Sequence, residues 1–320
     1  MLRKALILLS ESDAAKAVVT KTPLRRMSAR FVPGEKVDDF LRAAAEANRL
    51  ELTVTGNYLG EAEHDERTAK DAVSAYLRIL DGIISHDLKG NISVKPTQVG
   101  LEIGKEFFKE NLRELLDRAK GHDIFIRWDM ESSEWTQATL DPFQELWAEG
   151  YRNMGPVLQS YLRRTMDDAL RMNELGARVR LCKGAYAEPP EVAFQEKAKV
   201  DLNFVDVAKV LLTHGNYPAL ATHDDRIIET LVDFVQKENI GPERFEFQML
   251  HGVRRDLQRE LQESGFNVRV YVPFGESWYP YLMRRLAERP ANMLFFAGSL
   301  VRESPLGFIL PKKGRDARQK

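Results

Sequence analysis

The chain has a single cysteine, Cys182, in 320 residues. That excludes an internal disulfide framework and a cysteine-rich metal site, and it suits a reducing compartment. No two glycines stand in a G-x-G spacing, so neither the dinucleotide fingerprint nor the kinase glycine loop is present. G-x-x-x-x-G-K-[ST] is missing, which removes a P-loop, and the six histidines include no H-E-x-x-H. G-x-S-x-G is missing too, so a hydrolase elbow has no support, and no metal centre is expected. Long apolar runs are also lacking. The start, MLRKALILLSESDAAKA, places basic residues before an apolar run, but the run from Ala5 to Leu9 is shorter than an export segment needs. It reads as a first amphipathic helix, and MLFFAGSLV, further on, is too short to span a bilayer. Finally, a formal net charge of -1 leaves no broad footprint for nucleic acid or anionic lipid, so no nucleic-acid partner is expected.

What is present is an ordinary globular composition, 43% hydrophobic and 30% charged, long enough for one large α/β barrel or two medium domains. Residues 1 to 48 contain three helical pieces, LRKALILLS, ESDAAKAVVTK and KVDDFLRAAAEAN, broken at Pro23 and at Pro33-Gly34. They are too small for a domain and are expected to form a helical arm packed on the main body. From Leu50 the pattern alternates between short β-branched or apolar runs and longer helical segments, the signature of a parallel sheet. Eight strands are expected: LTVT (52 to 55), NISVK (91 to 95), DIFIRWDM (123 to 130), PVLQSYL (156 to 162), RVRLCKG (178 to 184), PALATH (218 to 223), RFEFQML (244 to 250) and NVRVYVP (267 to 273). Eight βα units match a (β/α)₈ barrel of about 250 residues, with a doubly wound sheet as the alternative. The barrel is placed over 49 to 300, followed by a segment, 301 to 320, whose charged end KKGRDARQK is expected to be disordered.

In such barrels the chemistry sits where the strands end. Those ends are polar: Lys95 after the second, Asp129 and Glu131 after the third, Gln159 in the fourth, Arg180, Lys183 and Tyr186 along the fifth. Thr222 and His223 end the sixth, Gln248 and His251 the seventh, and Tyr271 the eighth. Beyond it, Tyr281, Arg284, Arg285 and Glu288 stand at i, i+3, i+4 and i+7 and share one face of a helix. Two guanidiniums side by side form a fork that suits a small carboxylate. Charges are seldom buried unless paired or functional, and the cations Lys95, Arg180, Lys183, Arg284 and Arg285 outnumber Asp129 and Glu131, which implies an anionic ligand. A lysine at a strand end also leaves open a Schiff-base aldolase acting through Lys95 or Lys183, and a non-catalytic carboxylate-binding barrel.

Taken together, the strand ends resemble one family. The stretches TGNYLGE (55 to 61), NISVKPTQVG (91 to 100), RWDMES (127 to 132), VLQSYLRR (157 to 164), RVRLCKGAY (178 to 186), ATHD (221 to 224), FEFQMLHG (245 to 252), RVYVPFG (269 to 275) and WYPYLMRRLAERPAN (278 to 292) resemble the proline dehydrogenases. The similarity is to the small monofunctional bacterial kind, related to the dehydrogenase domain of proline utilization A. The match runs in order from 50 to 300, although TGNYLGE agrees only in its LGE end. The resemblance implies a distorted (β/α)₈ barrel, non-covalent FAD, oxidation of L-proline to Δ1-pyrroline-5-carboxylate and transfer of electrons to a membrane quinone. It implies that Lys95, Arg284 and Arg285 hold the proline carboxylate, that Asp129 fixes Lys95, and that Tyr186, Leu250, Tyr271 and Tyr281 wall the ring, with Glu288 aligning the arginines. Arg180 would lie beside the flavin N5, and Met130, Gln159, Lys183, Gly184, Ala185, Thr222 and His223 would contact FAD. By the same resemblance the protein is cytoplasmic and touches the inner membrane face to meet quinone. The helical arm and the segment after Gly298 are expected to supply that contact or a homo-oligomer interface.

Overall fold

The structure is a computed structural model that describes residues 30–60 and 64–288, with side chains in the last helix through Met283. The first two pieces of the expected arm, the segment after Gly298 and the charged tail lie outside the described residues. Residues 28–278 form one compact unit, and from Tyr279 the chain belongs to a second.

Helix α1 (Val37–Arg49) precedes strand β1 (Thr53–Tyr58). Then follow α2 (Glu66–Ser85), β2 (Gly90–Val94), α3 (Lys105–Lys120), β3 (Ile126–Trp128), α4 (Ser133–Ala148) and β4 (Met154–Gln159). The second half continues with α5 (Thr165–Leu175), β5 (Arg180–Cys182), α6 (Lys197–His214), β6 (Ala219–Ala221) and α7 (Asp225–Lys237). After a 3₁₀ turn come β7 (Glu246–Leu250), α8 (Arg255–Glu263), β8 (Val268–Phe274) and α9 (Trp278–Glu288). The strands pair in sequence order, all parallel, and β8 closes on β1 to make a barrel. The expected (β/α)₈ architecture is therefore the observed one, and the doubly wound alternative is not. Each of the eight expected strands is present, most of them shifted or trimmed by a few residues.

Two-residue alternation explains both faces of the barrel. Ile92 and Val94, Ile126 and Trp128, Phe247 and Met249, and Val268, Val270 and Val272 belong to the apolar layer beneath the helices. Trp128, for example, meets Phe108 of α3 and Phe143 of α4 edge-on, with centroids 5.4 and 5.5 Å away. The residues between them are polar and form contacts between neighbouring strands. Thr55 donates to Asn91 at 2.6 Å, and Arg269 pairs with Glu246 at 2.8 Å. Burial would push the Glu246 carboxyl up, but Arg269 more than offsets this and holds it below its ordinary range.

The third piece of the expected arm, α1, is built into this barrel. Phe40, Ala43, Ala44 and Ala47 form its buried stripe and join the main core against β1 and β8. Gly56 makes the approach possible, since a Cβ there would stand 2.8 Å from the Phe40 ring, which stacks on Phe274 at 5.3 Å. Truncating Phe40 would cost about 3 to 5 kcal/mol.

Candidate active site

The polar interior converges on Asp129, one residue beyond β3 and 9% exposed. Its Oδ1 accepts from Ser93 Oγ at 2.6 Å and from Arg180 Nη1 at 2.8 Å. Its Oδ2 accepts from the Tyr271 hydroxyl at 2.8 Å and from Lys95 Nζ at 3.3 Å. Arg180 also donates to Ser93 Oγ at 3.1 Å and lies over the Tyr271 ring, 5.3 Å from its centroid. Four strands thus hold one carboxylate. Tyr271 is in the middle of β8 rather than at its end, and it reaches Asp129 because closing a parallel barrel staggers the strands.

The charges set each other's protonation. Burial alone would push Asp129 up, but Lys95 and Arg180 more than offset it and hold the carboxyl below 3.8. Burial alone would pull Lys95 down, whereas Asp129, Tyr186 and Glu131 raise its proton affinity above the ordinary value. Burial and Asp129 drive the Tyr271 phenol well above 10, so it stays a donor. Glu131 is engaged separately, accepting from the Thr97 backbone and hydroxyl at 2.9 and 2.8 Å.

Lys95 and Arg180 both bear on the single Asp129 carboxylate. Moreover, Nε and Nη2 of Arg180, which is 5% exposed, have no hydrogen-bond partner among the described residues. Gln159, at the end of β4, donates to Met130 O at 2.9 Å and Glu131 O at 3.2 Å. Those carbonyls fix its amide orientation and leave Oε1 buried and unmatched. Buried polar groups are normally satisfied, so unmatched donors and a lone acceptor on neighbouring strands mark a ligand site. Asn57 repeats the pattern on β1, with Nδ2 on Ser93 O at 3.1 Å and Oδ1 unmatched.

Several other expected site residues lie at or just beyond the strand ends. Lys183 follows β5 and is bound by Asp201 at 2.6 Å and Asp224 at 2.8 Å, so its charge is compensated outside the Asp129 cluster. Burial would raise Asp224, but Lys183 and Lys197 bring it down to about 2. Gly184 has φ +103°, and a Cβ there would stand 2.3 Å from the Tyr161 ring. Ala185 and Tyr186 are exposed, Met130 and Thr222 are buried, and the Thr222 hydroxyl accepts from the Asp224 N–H at 3.2 Å. His223 Nε2 accepts the Leu250 N–H at 2.9 Å, which joins the ends of β6 and β7. The Gln248 amide donates to the Glu246 carboxylate, and the His251 N–H donates to Tyr271 O at 2.9 Å. Tyr281 is on α9, as are Arg284, Arg285 and Glu288, whose side chains lie outside the described residues.

Ser93, Asn57, Asp201 and Asp224 were not singled out from the sequence. Ser93 was legible, because it shares the alternating face of NISVK with Lys95, two residues on. Nothing local marks Asp201, which is 18 residues from Lys183 on the exposed start of a helix. Among the described residues, no group of three or more His, Cys, Asp or Glu could hold a metal, and no helix is long and apolar enough to cross a membrane.

A closed parallel barrel with a charged cluster where its strands end places the protein in the (β/α)₈ class, whose sites lie at that end. The sequence profile of the proline dehydrogenase family matches residues 40–297. Proline dehydrogenase 1 of Bacillus subtilis (strain 168) is 36% identical over 303 residues, covering 95% of this chain and 100% of the relative. Proline dehydrogenase of Deinococcus radiodurans is 34% identical over 304 residues, covering 94% of this chain and 98% of the relative. Among solved structures, proline utilization A from Bdellovibrio bacteriovorus, inactivated by N-propargylglycine, is similar with a TM-score of 0.81 and 26% identity. That likeness covers all of this chain but 41% of the larger protein. The chain belongs to the proline dehydrogenase family and is an oxidoreductase.

Proposed function

We propose that the protein oxidises L-proline to Δ1-pyrroline-5-carboxylate with non-covalently bound FAD, and that the electrons pass on to a membrane quinone. The observation that carries this reading is the Asp129 cluster, in which two Arg180 donors and a Gln159 acceptor are buried with no partner among the described residues. The residues fit a flavin, whose ring edge offers both acceptors and an imide N–H. FAD, when bound, supplies the two-electron acceptor. Arg180 would donate to that edge, Gln159 would accept from it, and Met130, Lys183, Gly184, Ala185, Thr222 and His223 would contact the cofactor. A guanidinium there favours the reduced, anionic form.

Asp129 separates its two cations, with Arg180 on one oxygen and Lys95 on the other. Lys95 stays charged and would bind the proline carboxylate together with Arg284 and Arg285, which Glu288 would align. Tyr186, Leu250, Tyr271 and Tyr281 would wall the ring and fix the donor carbon, the main requirement for hydride transfer. With Arg284 and Arg285 added to Lys95 and Arg180, the cations would outnumber the carboxylates and disfavour the ammonium form of the substrate, leaving the amine that gives up hydride neutral. A Schiff-base mechanism finds no support, because it needs a neutral amine while Asp129 keeps Lys95 protonated and two carboxylates hold Lys183.

The protein is read as cytoplasmic and peripheral at the inner membrane face. Quinone reduction would then occur at the lipid surface through the outer pieces of the arm or the segment after Gly298, which would otherwise form a homo-oligomer interface. Sedimentation with liposomes tests that contact, and absence of binding with and without proline would remove it. The principal test is colour. The purified protein should be yellow and should bleach when L-proline is added without oxygen; a colourless protein that fails to take up FAD overturns the reading.

A further inference from the structure

We propose that Glu188 is a positioning residue that pins the loop between β5 and α6, and with it Tyr186, to the start of α4. The proposal rests on the reading of the site given above. Glu188 is in the excursion that carries Gly184, Ala185 and Tyr186. Its Oε1 accepts the backbone N–H of Ser133 at 2.7 Å, and its other oxygen accepts the Ser133 hydroxyl. Ser133 is the first residue of α4, and the preceding Ser132 makes no side-chain cap, so a free helix N–H is satisfied by a carboxylate 55 residues away. This helix starts four residues after Asp129, and the pin therefore links the loop to the segment that carries the charge cluster.

Tyr161 is the platform under the loop. Its ring fills the space a Gly184 Cβ would need, its hydroxyl donates to Glu188 at 3.3 Å, and the Tyr186 backbone bonds to the same hydroxyl. The flanks are stitched by backbone bonds, Tyr161 N to Lys183 O at 2.9 Å and Phe194 N to Tyr161 O at 2.7 Å. Between them the Glu188 carboxylate ties the excursion to α4. Tyr186, 42% exposed, is carried on this excursion two residues before Glu188. Glu188 supplies the constraint, and the quantity it governs is substrate binding rather than the hydride step.

The test measures two things on the FAD-loaded enzyme. One is binding of a non-oxidisable analogue with oxygen in place of the ring nitrogen, followed by flavin absorbance; the other is KM and kcat for L-proline with a dye acceptor. Glu188→Ala should weaken analogue binding and raise KM about tenfold while kcat stays within about twofold. Glu188→Gln, whose amide oxygen can still accept the Ser133 N–H, should recover most of the loss, and Ser133→Ala gives a milder form of the same defect should Glu188→Ala fold poorly. In a Tyr186→Ala background, Glu188→Ala should add nothing, because it acts through that residue. Unchanged analogue binding in Glu188→Ala, or effects of the two substitutions that multiply, overturns the proposal. Failure of the wild-type flavin to be reduced by proline would instead overturn the functional reading, and analogue binding would still report on the coupling.

Discussion

Replacing Asp129 by Asn keeps the shape of the side chain and removes one charge, and its cost follows from the contacts. The carboxylate is nearly buried and lies between Arg180 at 2.8 Å and Lys95 at 3.3 Å, so the variant places two cations together without a counter-charge. Breaking a buried ion pair from one side costs about 3 to 5 kcal/mol. Ser93 and Tyr271 donate to different oxygens of this carboxylate, so whichever way the amide turns its nitrogen faces one of these donors and loses that bond, which keeps the expected loss at about 4 kcal/mol. Arg180 and Lys95 also lose their common anchor, and kcat/KM for proline should fall about a hundredfold or more. There is in addition a pH signature. The folded carboxyl titrates below 3.8, so as pH falls from there the unfolded chain takes up a proton more readily than the folded one. The wild type therefore loses this stability as pH drops below about 3.8, and Asp129→Asn should lack that loss. Urea unfolding of both proteins at neutral and acidic pH, with steady-state kinetics at neutral pH, measures all three effects. Equal stability at neutral pH with kcat/KM within about threefold would refute the view that Asp129 organises the site.

Three further outcomes can be measured. Arg284→Met or Arg285→Met should each weaken proline binding by about 1.5 to 3 kcal/mol, read by flavin titration; little change would mean that the pair does not meet the carboxylate. Burial, with Arg255, holds His251 down at about 4, so between 6.5 and 4 the unfolded imidazole binds the proton that the folded one refuses. Stability should fall by about 3 kcal/mol as pH drops through that window, and His251→Gln should remove this dependence in urea titrations. Gly184→Ala should lose FAD on gel filtration, since φ +103° strains alanine by about 1 to 3 kcal/mol and its methyl meets Tyr161; adding Tyr161→Ala relieves the clash but not the strain.

The sequence by itself determined the number and order of the strands, the helices between them and the polar character of the barrel interior. Those features depend on local periodicity, and NISVK, RFEFQML and NVRVYVP each alternate clearly enough to give a strand and its two faces. It also supplied Lys95, Asp129, Arg180 and Tyr271 as a group, because polar residues recur in or just beyond the expected strands. It did not decide which charges neutralise which. Lys183 looked like part of the same cationic set, yet Asp201 and Asp224 take it, while Ser93 joins Asp129 and Arg180. Nor did the sequence show that α1 would enter the barrel's core, or that Glu188 would cap a helix 55 residues earlier. Periodicity assigns a residue to a face, whereas partners on different strands meet according to stagger and closure, which no local pattern encodes. Tyr271 is the clearest case: it is central in its own strand, and only the barrel's stagger brings its hydroxyl to a carboxylate beyond the end of β3.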